Sequence, residues 1–568
     1  MKFSVWAPAA KRVELAVGDS RIQMQGEADG YFSLEFDLPE GLGYRFAIDG
    51  GPPHPDPRSR WQPNGVHGES HPAQLPAPAT DTFHPVSLRE AIIYELHVGT
   101  FTPEGTYQSA QSKLGYLKDL GVTHIELLPL AAFPGRRGWG YDGVALYAPQ
   151  AAYGTPAELF EFVAACHGHG IAVLLDVVYN HLGPDGNYLG QFAPYFTDHY
   201  KTGWGAAVNY DGPLSDDVRR FVIDNALMWL RDYRFDGLRL DAVHAIFCFE
   251  ALHVLEQLAA AVRELGAEQQ RKLVLIAESD LNDPKLVRPV NKGGYGLDAH
   301  WEDDFHHALH ACFTGERSGY YEDFSAHDTL VRALRDGYVY QGQYSKHRKR
   351  RHGRKPIGVG ADQLVVCAQN HDQIGNRAQG ERLSMMLDSR QLKAIATLTL
   401  LSGFVPMLFQ GEEWGATTPF LYFTDHENAD LGRAVAEGRA REFAAFKWQG
   451  EVPNPQEEST FQRSKLNWSE IGEANHADLL DWHRRLIALR RENLQAVPPR
   501  SRPRVGFEKK KRLLSHAHGL LLAILNLSDG SQRFTLPGGN WELVMASDPP
   551  VDSSLAAGGT LVYRTRRN

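Results

Sequence analysis

The sequence predicts a multidomain protein built around a (β/α)8 TIM barrel, with an N-terminal β-sandwich before it and a small C-terminal β domain after it. Three observations predict this. From residue 91 to about residue 401, short apolar runs alternate with amphipathic segments, the signature of a parallel sheet covered by helices. On either side the pattern changes to period-two alternation broken by Gly and Asp, as in small antiparallel sheets. The central apolar runs also end abruptly in charge, as barrel strands do where they deliver side chains to one rim.

Within residues 1–50, Val13, Leu15 and Val17 form one apolar face, and Phe32, Leu34, Phe36 and Leu38 form another. Nine prolines from Pro52 to Pro85 read as an extended connector rather than a folded unit. Residues 1–85 are therefore taken as sandwich plus connector, 86–500 as the barrel and 501–568 as the last domain. The barrel strands are expected at 91–97, 124–130, 172–179, 236–241, 273–278, a weaker 297–302, 364–370 and 404–409. Runs buried between helices on both sides are continuously apolar, and these are. Helices are expected at 107–120, 156–169 and 216–233, with 474–494 closing the domain. In 216–233, Val218, Phe221, Val222 and Trp229 share one face. Alternation returns from about Val505, in 519–525, 533–536 and 541–545.

At 568 residues and 43% hydrophobic the chain can bury a large core, and its formal charge of −10 argues against a nucleic-acid footprint. The exception is the basic run 346–355, Lys-His-Arg-Lys-Arg-Arg-His-Gly-Arg-Lys, read as a solvated loop. Cys166, Cys248, Cys312 and Cys367 lie far apart with no CxxC spacing, which suits free thiols in a reducing compartment. The first residues carry no apolar leader, and no run of 18 apolar residues occurs, so a cytoplasmic protein without a membrane partner is expected. Nothing in the sequence sets an oligomeric state.

The strand ends bring chemistry to one rim: His97; Asp142 in the next loop; Asp176, Asn180 and His181; Arg239, Asp241 and His244; Glu278; Asp303 and Asp304; His371 and Asp372; Glu412 and Glu413. Converging carboxylates repel, so holding this many together costs stability and points to function. Carboxylates with interleaved histidines and aromatics, and no thiolates, suit glycoside cleavage, which needs one ionised and one protonated carboxyl. Arg239 is expected to hold Asp241 as the anion, the nucleophile. Glu278 follows Leu-Val-Leu-Ile-Ala, where desolvation should raise it into the range of a general acid. Asp372 would hold sugar hydroxyls and support the transition state. Trp139 and Tyr141, in the Gly-rich 135–143, read as a sugar platform. Asp142 either touches sugar or pairs with Arg136 or Arg137; Asp303 and Asp304 either contact substrate or cap the next helix. Glu412 and Glu413 stand equally between substrate contact and structure. His306 and His310 have metal-ligand spacing but no third ligand, and no EF-hand loop occurs, so neither metal nor cofactor is expected.

Four segments together resemble the α-amylase superfamily: Asp176-Val-Val-Tyr-Asn-His181, Gly237-Leu-Arg-Leu-Asp-Ala-Val-His244, Ile276-Ala-Glu-Ser279 and Gln369-Asn-His-Asp-Gln373. The resemblance implies that Asp241, Glu278 and Asp372 are nucleophile, acid/base and transition-state stabiliser. It also implies that His181, Arg239 and His371 contact the sugar and that Tyr141 stacks on it. Narrower segments resemble the maltooligosyltrehalose trehalohydrolase branch. They are Trp139-Gly-Tyr-Asp142, residues 296–307, Gln369 through Arg377, Phe409-Gln-Gly-Glu-Glu-Trp-Gly-Ala416 and Tyr422-Phe-Thr-Asp-His-Glu427. Phe3-Ser-Val-Trp-Ala-Pro8 resembles the sandwich that precedes the barrel in that branch and in branching and debranching enzymes. The implied substrate is maltooligosyl trehalose or a related α-glucan, cut by a retaining double displacement. A branching or debranching enzyme of the same architecture is the alternative, and a barrel kept only for glycan binding is a third.

Overall fold

The computed structural model describes residues 1–76, 83–203, 205–324, 326–445 and 452–565, except the side chains of 442–445. Eight parallel strands close into a barrel: β1 (Ile93–Leu96), β2 (His124–Leu127), β3 (Ala172–Val177), β4 (Gly237–Leu240), β5 (Val274–Ala277), β6 (Ala299–Trp301), β7 (Leu364–Cys367) and β8 (Val405–Phe409). They follow one another around the barrel in chain order, and β8 pairs with β1 through Met407 and Ile93, then Phe409 and Glu95. All eight expected strands are present, including the weak sixth, which has only three residues.

Alternation decides what each strand does. Ile93, Leu174, Val274, Ile276, Ala299, Trp301, Val365, Cys367, Val405 and Met407 pack together inside the barrel. Residues of the other parity, such as Tyr94, Leu96, Leu238 and Leu240, join the larger core under the helices. Gly237 sits where β3, β4 and β5 crowd: a Cβ there would lie 2.5 Å from Val274 Cγ2 and 2.9 Å from Leu174 Cδ2. One parity step further, the inward positions become charged, so an aliphatic floor carries a polar rim.

The helices start and stop on local signals. Pro156–Gly168 opens with a capping box of Thr155 and Glu158 and with Pro at its first turn. Ser389–Leu400 opens with Asp388 and Gln391 in the same reciprocal arrangement. The expected helix 107–120 is two pieces, Tyr107–Gln111 and Leu114–Leu120, the second ended by left-handed Gly121. Ser215–Asp232 and Ala474–Leu494 run as the pattern implies, and Arg490 of the latter donates to the carbonyl of Leu400 at 3.0 Å.

Before the barrel lie two antiparallel sheets of three and four strands, with Val13 and Leu15 fully buried. Phe32, Leu34, Phe36 and Leu38 are only half-buried. The Pro-rich segment is more than a connector. Pro53–His54 pairs with Arg45–Ile48, and the Asp56 carboxylate accepts from the Tyr44 hydroxyl at 2.7 Å. Arg58 reaches Asp224 of Ser215–Asp232 at 2.8 Å, pinning the segment to the barrel. Residues 77–82 of that stretch lie outside the described residues. After the barrel, Arg504–Glu508, Leu513–His518, Leu521–Asn526, Thr560–Thr565 and Trp541–Ala546 form a five-stranded antiparallel sheet in that order. The four cysteines are unpaired. Among the described residues, no helix is long and apolar enough to cross a membrane.

The close contacts at Gly237 make it a test of barrel packing. Gly237→Ala should destabilise by about 1–3 kcal/mol, the cost of overpacking, read as a lower urea midpoint. Gly168→Ala, where nothing lies within 4 Å of the added methyl, should leave the midpoint unchanged or raise it.

Candidate active site

Arg239, on β4 and with no exposure, is the hub of the rim. Its Nη1 donates to both oxygens of Asp176 at 2.9 and 2.8 Å and to Asp241 Oδ1 at 2.7 Å. Its Nη2 lies 3.8 Å from Glu278 Oε2, and the guanidinium sits 4.1 Å over the Trp301 ring. The other oxygen of Asp241 accepts from Asn180 Nδ2 at 2.7 Å. Both carboxylate oxygens are thereby fixed in direction by neighbours from β3 and β4.

The chain turns sharply after Asp241. Ala242 adopts a left-handed conformation (φ 37, ψ 51), strain of about 1–3 kcal/mol for a residue with a Cβ. That turn aims the Ala242 N–H at Glu278 Oε2, 2.6 Å away. Asp241 and Glu278 are so held on adjacent strands against one guanidinium and one amide. Burial pushes the Glu278 carboxyl above the ordinary range; Arg239 and His244 oppose the rise, and Asp241 and Asp372 reinforce it.

His371 and Asp372 open a short helix, His371–Gly375, that Asn370 caps by accepting from Gln373 N at 2.9 Å. Nδ1 of His371 lies 2.5 Å from Glu95 Oε1 on β1, and its backbone N–H donates to the other oxygen. Burial alone would lower this imidazole, but Glu95 and Asp372 outweigh it and raise it to about 9. The Tyr141 ring stacks on His371 at 5.2 Å, and its hydroxyl donates to Asp176 at 2.6 Å. Asp372 itself is 44% exposed and faces the open cleft.

Other expected residues fall in different places. His181 is buried, bonded to Asn180 and to the carbonyl of Tyr141 at 3.0 Å, and burial lowers it. His244 is exposed beside Glu278. Trp139 is no open platform. It is 5% exposed, stacked on Phe420, with its indole N–H donating to the carbonyl of Leu421 and its edge against His371. Asp142 pairs neither with Arg136, whose backbone N–H donates to Asp425, nor with Arg137, whose guanidinium binds Asp425; His426 Nε2 lies 3.9 Å from the Asp142 carboxylate. Asp303 lines the cleft with Asp372. Asp304 turns away: its carboxylate takes the backbone N–H groups of Val339 and Tyr340 and the amide of Asn282. Glu413 is fully buried outside the strand wall, receiving the hydroxyls of Tyr94 and Tyr116, and burial raises it to about 7. Glu412 accepts from the backbone of Phe409 and is raised to about 8 by burial.

Glu95 and Trp301, which hold His371 and Arg239, are rim residues outside the set that the strand ends point to. Alternation along β1 would have found Glu95, the lone inward charge of its strand; a tryptophan in a weak strand carries no comparable signal. His306 bonds to the carbonyl of Ala368 and the Tyr321 hydroxyl, and His310 to Glu316. Among the described residues, no cluster of three His, Cys, Asp or Glu could hold a metal ion.

The cleft beyond Asp372 and Asp303, about 610 Å3, is walled by segments following β5, β6 and β7. Its Arg377 is fixed bidentately on Glu316 at 3.0 and 2.9 Å. The site thus has a closed end at Tyr141, His371 and Asp176, an open end at Asp303 and Asp372, and two carboxyl groups between them.

Residues 71–202 match the family model of the alpha amylase catalytic domain. The chain is 47% identical to the malto-oligosyltrehalose trehalohydrolase of Rhizobium sp. (strain M-11), over 97% of this chain and 94% of the relative. It is 49% identical to that of Arthrobacter ramosus, over 93% of each. It matches a crystal structure of an alpha-amylase-type protein from Salmonella typhimurium with a TM-score of 0.90 and 38% identity, over 99% of this chain and 97% of the other. By these full-length likenesses the chain belongs to the malto-oligosyltrehalose trehalohydrolase family of alpha-amylase barrels.

Proposed function

We propose that the protein cleaves the α-1,4-glucosidic bond next to the terminal trehalose unit of maltooligosyl trehalose, releasing trehalose and a maltooligosaccharide. The observation that carries this is the pair Asp241 and Glu278, held by one buried guanidinium at 2.7 and 3.8 Å. Retaining glycosidases need two such carboxyls close together, one a nucleophile and one a proton carrier. The names of the full-length relatives favour the trehalose-capped substrate over a branching or debranching reaction. The four free cysteines suit a cytoplasmic enzyme.

In this reading Asp241 attacks the anomeric carbon, and the bond to the trehalose oxygen breaks as Glu278 donates its proton to that oxygen. Trehalose leaves, and the remaining chain is an ester of Asp241. Water then attacks the same carbon, Glu278 takes its proton, and the Asp241 carboxylate is released, so configuration is retained. Asp372, beside the charged imidazolium of His371, faces the sugar and offsets positive charge developing on its ring. Tyr141 and His371 close the pocket around the reacting glucose, and Trp139 braces His371 from behind.

Asp241→Asn should abolish trehalose release because no ester can form, and Glu278→Gln should cost about 10²–10⁴-fold, the worth of general acid help. Either variant retaining a tenth of wild-type kcat/KM would refute its assigned role.

The profile of kcat/KM against pH should be bell-shaped, with deprotonation of Glu278 setting the alkaline limb. Asp372 adds to the rise of the Glu278 carboxyl, so Asp372→Asn should move that limb to lower pH, whatever it does to the maximum rate. A limb that stays near pH 9 would identify His371 as the titrating group instead.

Maltotriosyl trehalose should be cut with at least about tenfold higher kcat/KM than maltopentaose, a difference of about 1.4 kcal/mol. Equal rates, or new α-1,6 links in a glucan, would promote the branching reaction.

A further inference from the structure

The basic run 346–355, expected as a solvated loop, belongs to a hairpin in which Gln341–Ser345 pairs with Arg350–Gly353, and most of its cations do face solvent. The charge that the mechanism leaves unused lies inside the barrel. Glu126, on β2, is 1% exposed. Ile125 and Leu127 on either side of it belong to the core under the helices, so the Glu126 side chain points inward. Its partners in register are Leu174 of β3, part of the aliphatic floor, and Glu95 of β1. No hydrogen-bond donor among the described residues reaches either of its carboxyl oxygens. Elsewhere the interior is filled by side chains such as Ile93, Val274 and Val365, and an apolar residue would cost less at this place too.

Two inward carboxyls in register on neighbouring parallel strands do not both ionise at that depth, because like charges in a low dielectric hold one proton on the pair. Glu95 is already committed. One of its oxygens meets His371 Nδ1 and the other accepts the His371 backbone N–H, and the imidazolium favours the anion. The proton therefore belongs to Glu126. Burial pushes that carboxyl well above the ordinary range; Glu95 and Asp176 add to the rise, and Arg239 and His371 oppose it. A protonated carboxyl is also a donor, and a carboxylate that accepts once on each oxygen still has lone pairs to spare. The donor that Glu126 gains and the acceptor sites that Glu95 keeps are thus on side chains paired in register.

We propose that Glu126 is a positioning residue of the reaction: it carries the one proton of the pair Glu95 and Glu126 and donates a hydrogen bond with it to Glu95, keeping that carboxylate ionised and directed at His371. Glu126 touches no substrate. Its effect reaches the sugar through Glu95 and then through His371, which closes the glucose pocket with Tyr141 and stands beside Asp372. The kinetic side of this inference rests on the substrate reading above; the protonation of Glu126 does not.

The test compares wild type with Glu126→Gln, whose amide is neutral and can still donate to Glu95, and with Glu126→Leu, which cannot. The infrared difference spectrum of wild type against Glu126→Gln, taken at neutral pH in heavy water without substrate, should show the C=O band of one protonated carboxyl and no ionised carboxylate band. On maltotriosyl trehalose, Glu126→Leu should lose about tenfold in kcat with little change in KM, while its urea midpoint stays level or rises. Glu126→Gln should recover most of that loss. A merely structural residue would do the reverse, lowering the midpoint and leaving kcat of the folded enzyme intact. An ionised carboxylate band in the difference spectrum, a Leu variant with wild-type kcat, or equal kcat losses in the two variants would each overturn the proposal. Should Glu126→Leu fail to fold, the infrared comparison and the kcat of Glu126→Gln decide by themselves. A wild-type enzyme that released no trehalose would refute the substrate reading instead, and the infrared result would still decide where the proton sits.

Discussion

Everything at the rim is arranged around a buried guanidinium. Arg239 has no contact with water, and burying an ion costs several kcal/mol unless partners repay it. Here the partners are Asp176, Asp241, the Trp301 ring and, at longer range, Glu278. The dependence runs both ways. Those carboxyls are drawn from three adjacent strands, and without the cation they would repel one another in a site of low dielectric. Removing it would leave unpaired buried charge, which typically costs about 3–5 kcal/mol.

A second charged layer leans on the first. Tyr141 spans from Asp176 to His371, and Glu95 holds His371 as the imidazolium up to about 9. One network therefore runs from β4 through β3 to β7 and β1, almost round the barrel. It can be charged because the layer beneath it is aliphatic and closely packed, with Gly237 giving up its side chain for that contact. The strained turn at Ala242 is where the backbone leaves regular geometry to set Glu278 against Asp241.

How much of this could be read in advance follows from the range of each interaction. The strands were legible because burial on both faces demands apolar runs, and even the three-residue β6 left a trace. Asp241, Glu278 and Asp372 were legible because a carboxyl ending such a run is costly. Glu413 was misleading for the same reason: it follows β8, but a 3-10 turn points it outward to Tyr94 and Tyr116. Asp304 likewise serves the backbone at Val339 and Tyr340, and nothing near it in sequence announces those partners. Trp139 sits among glycines, which suggested exposure, yet Phe420 and Leu421 cover it from far along the chain. Period and strand ends are local properties; what lies against a side chain from a distant segment is not.

The closed and open ends follow from the same geometry, since Tyr141, His371 and Asp176 lock together at one end while segments after β5, β6 and β7 wall the cleft at the other. The most direct test is to supply a leaving group that needs no proton. Glu278→Gln incubated with α-maltotriosyl fluoride should still be glycosylated, then stall for want of a general base. Mass spectrometry of the digested protein should find one maltotriosyl unit on the peptide containing Asp241. An adduct on another residue, or rapid turnover to the inverted sugar with no adduct, would contradict the account.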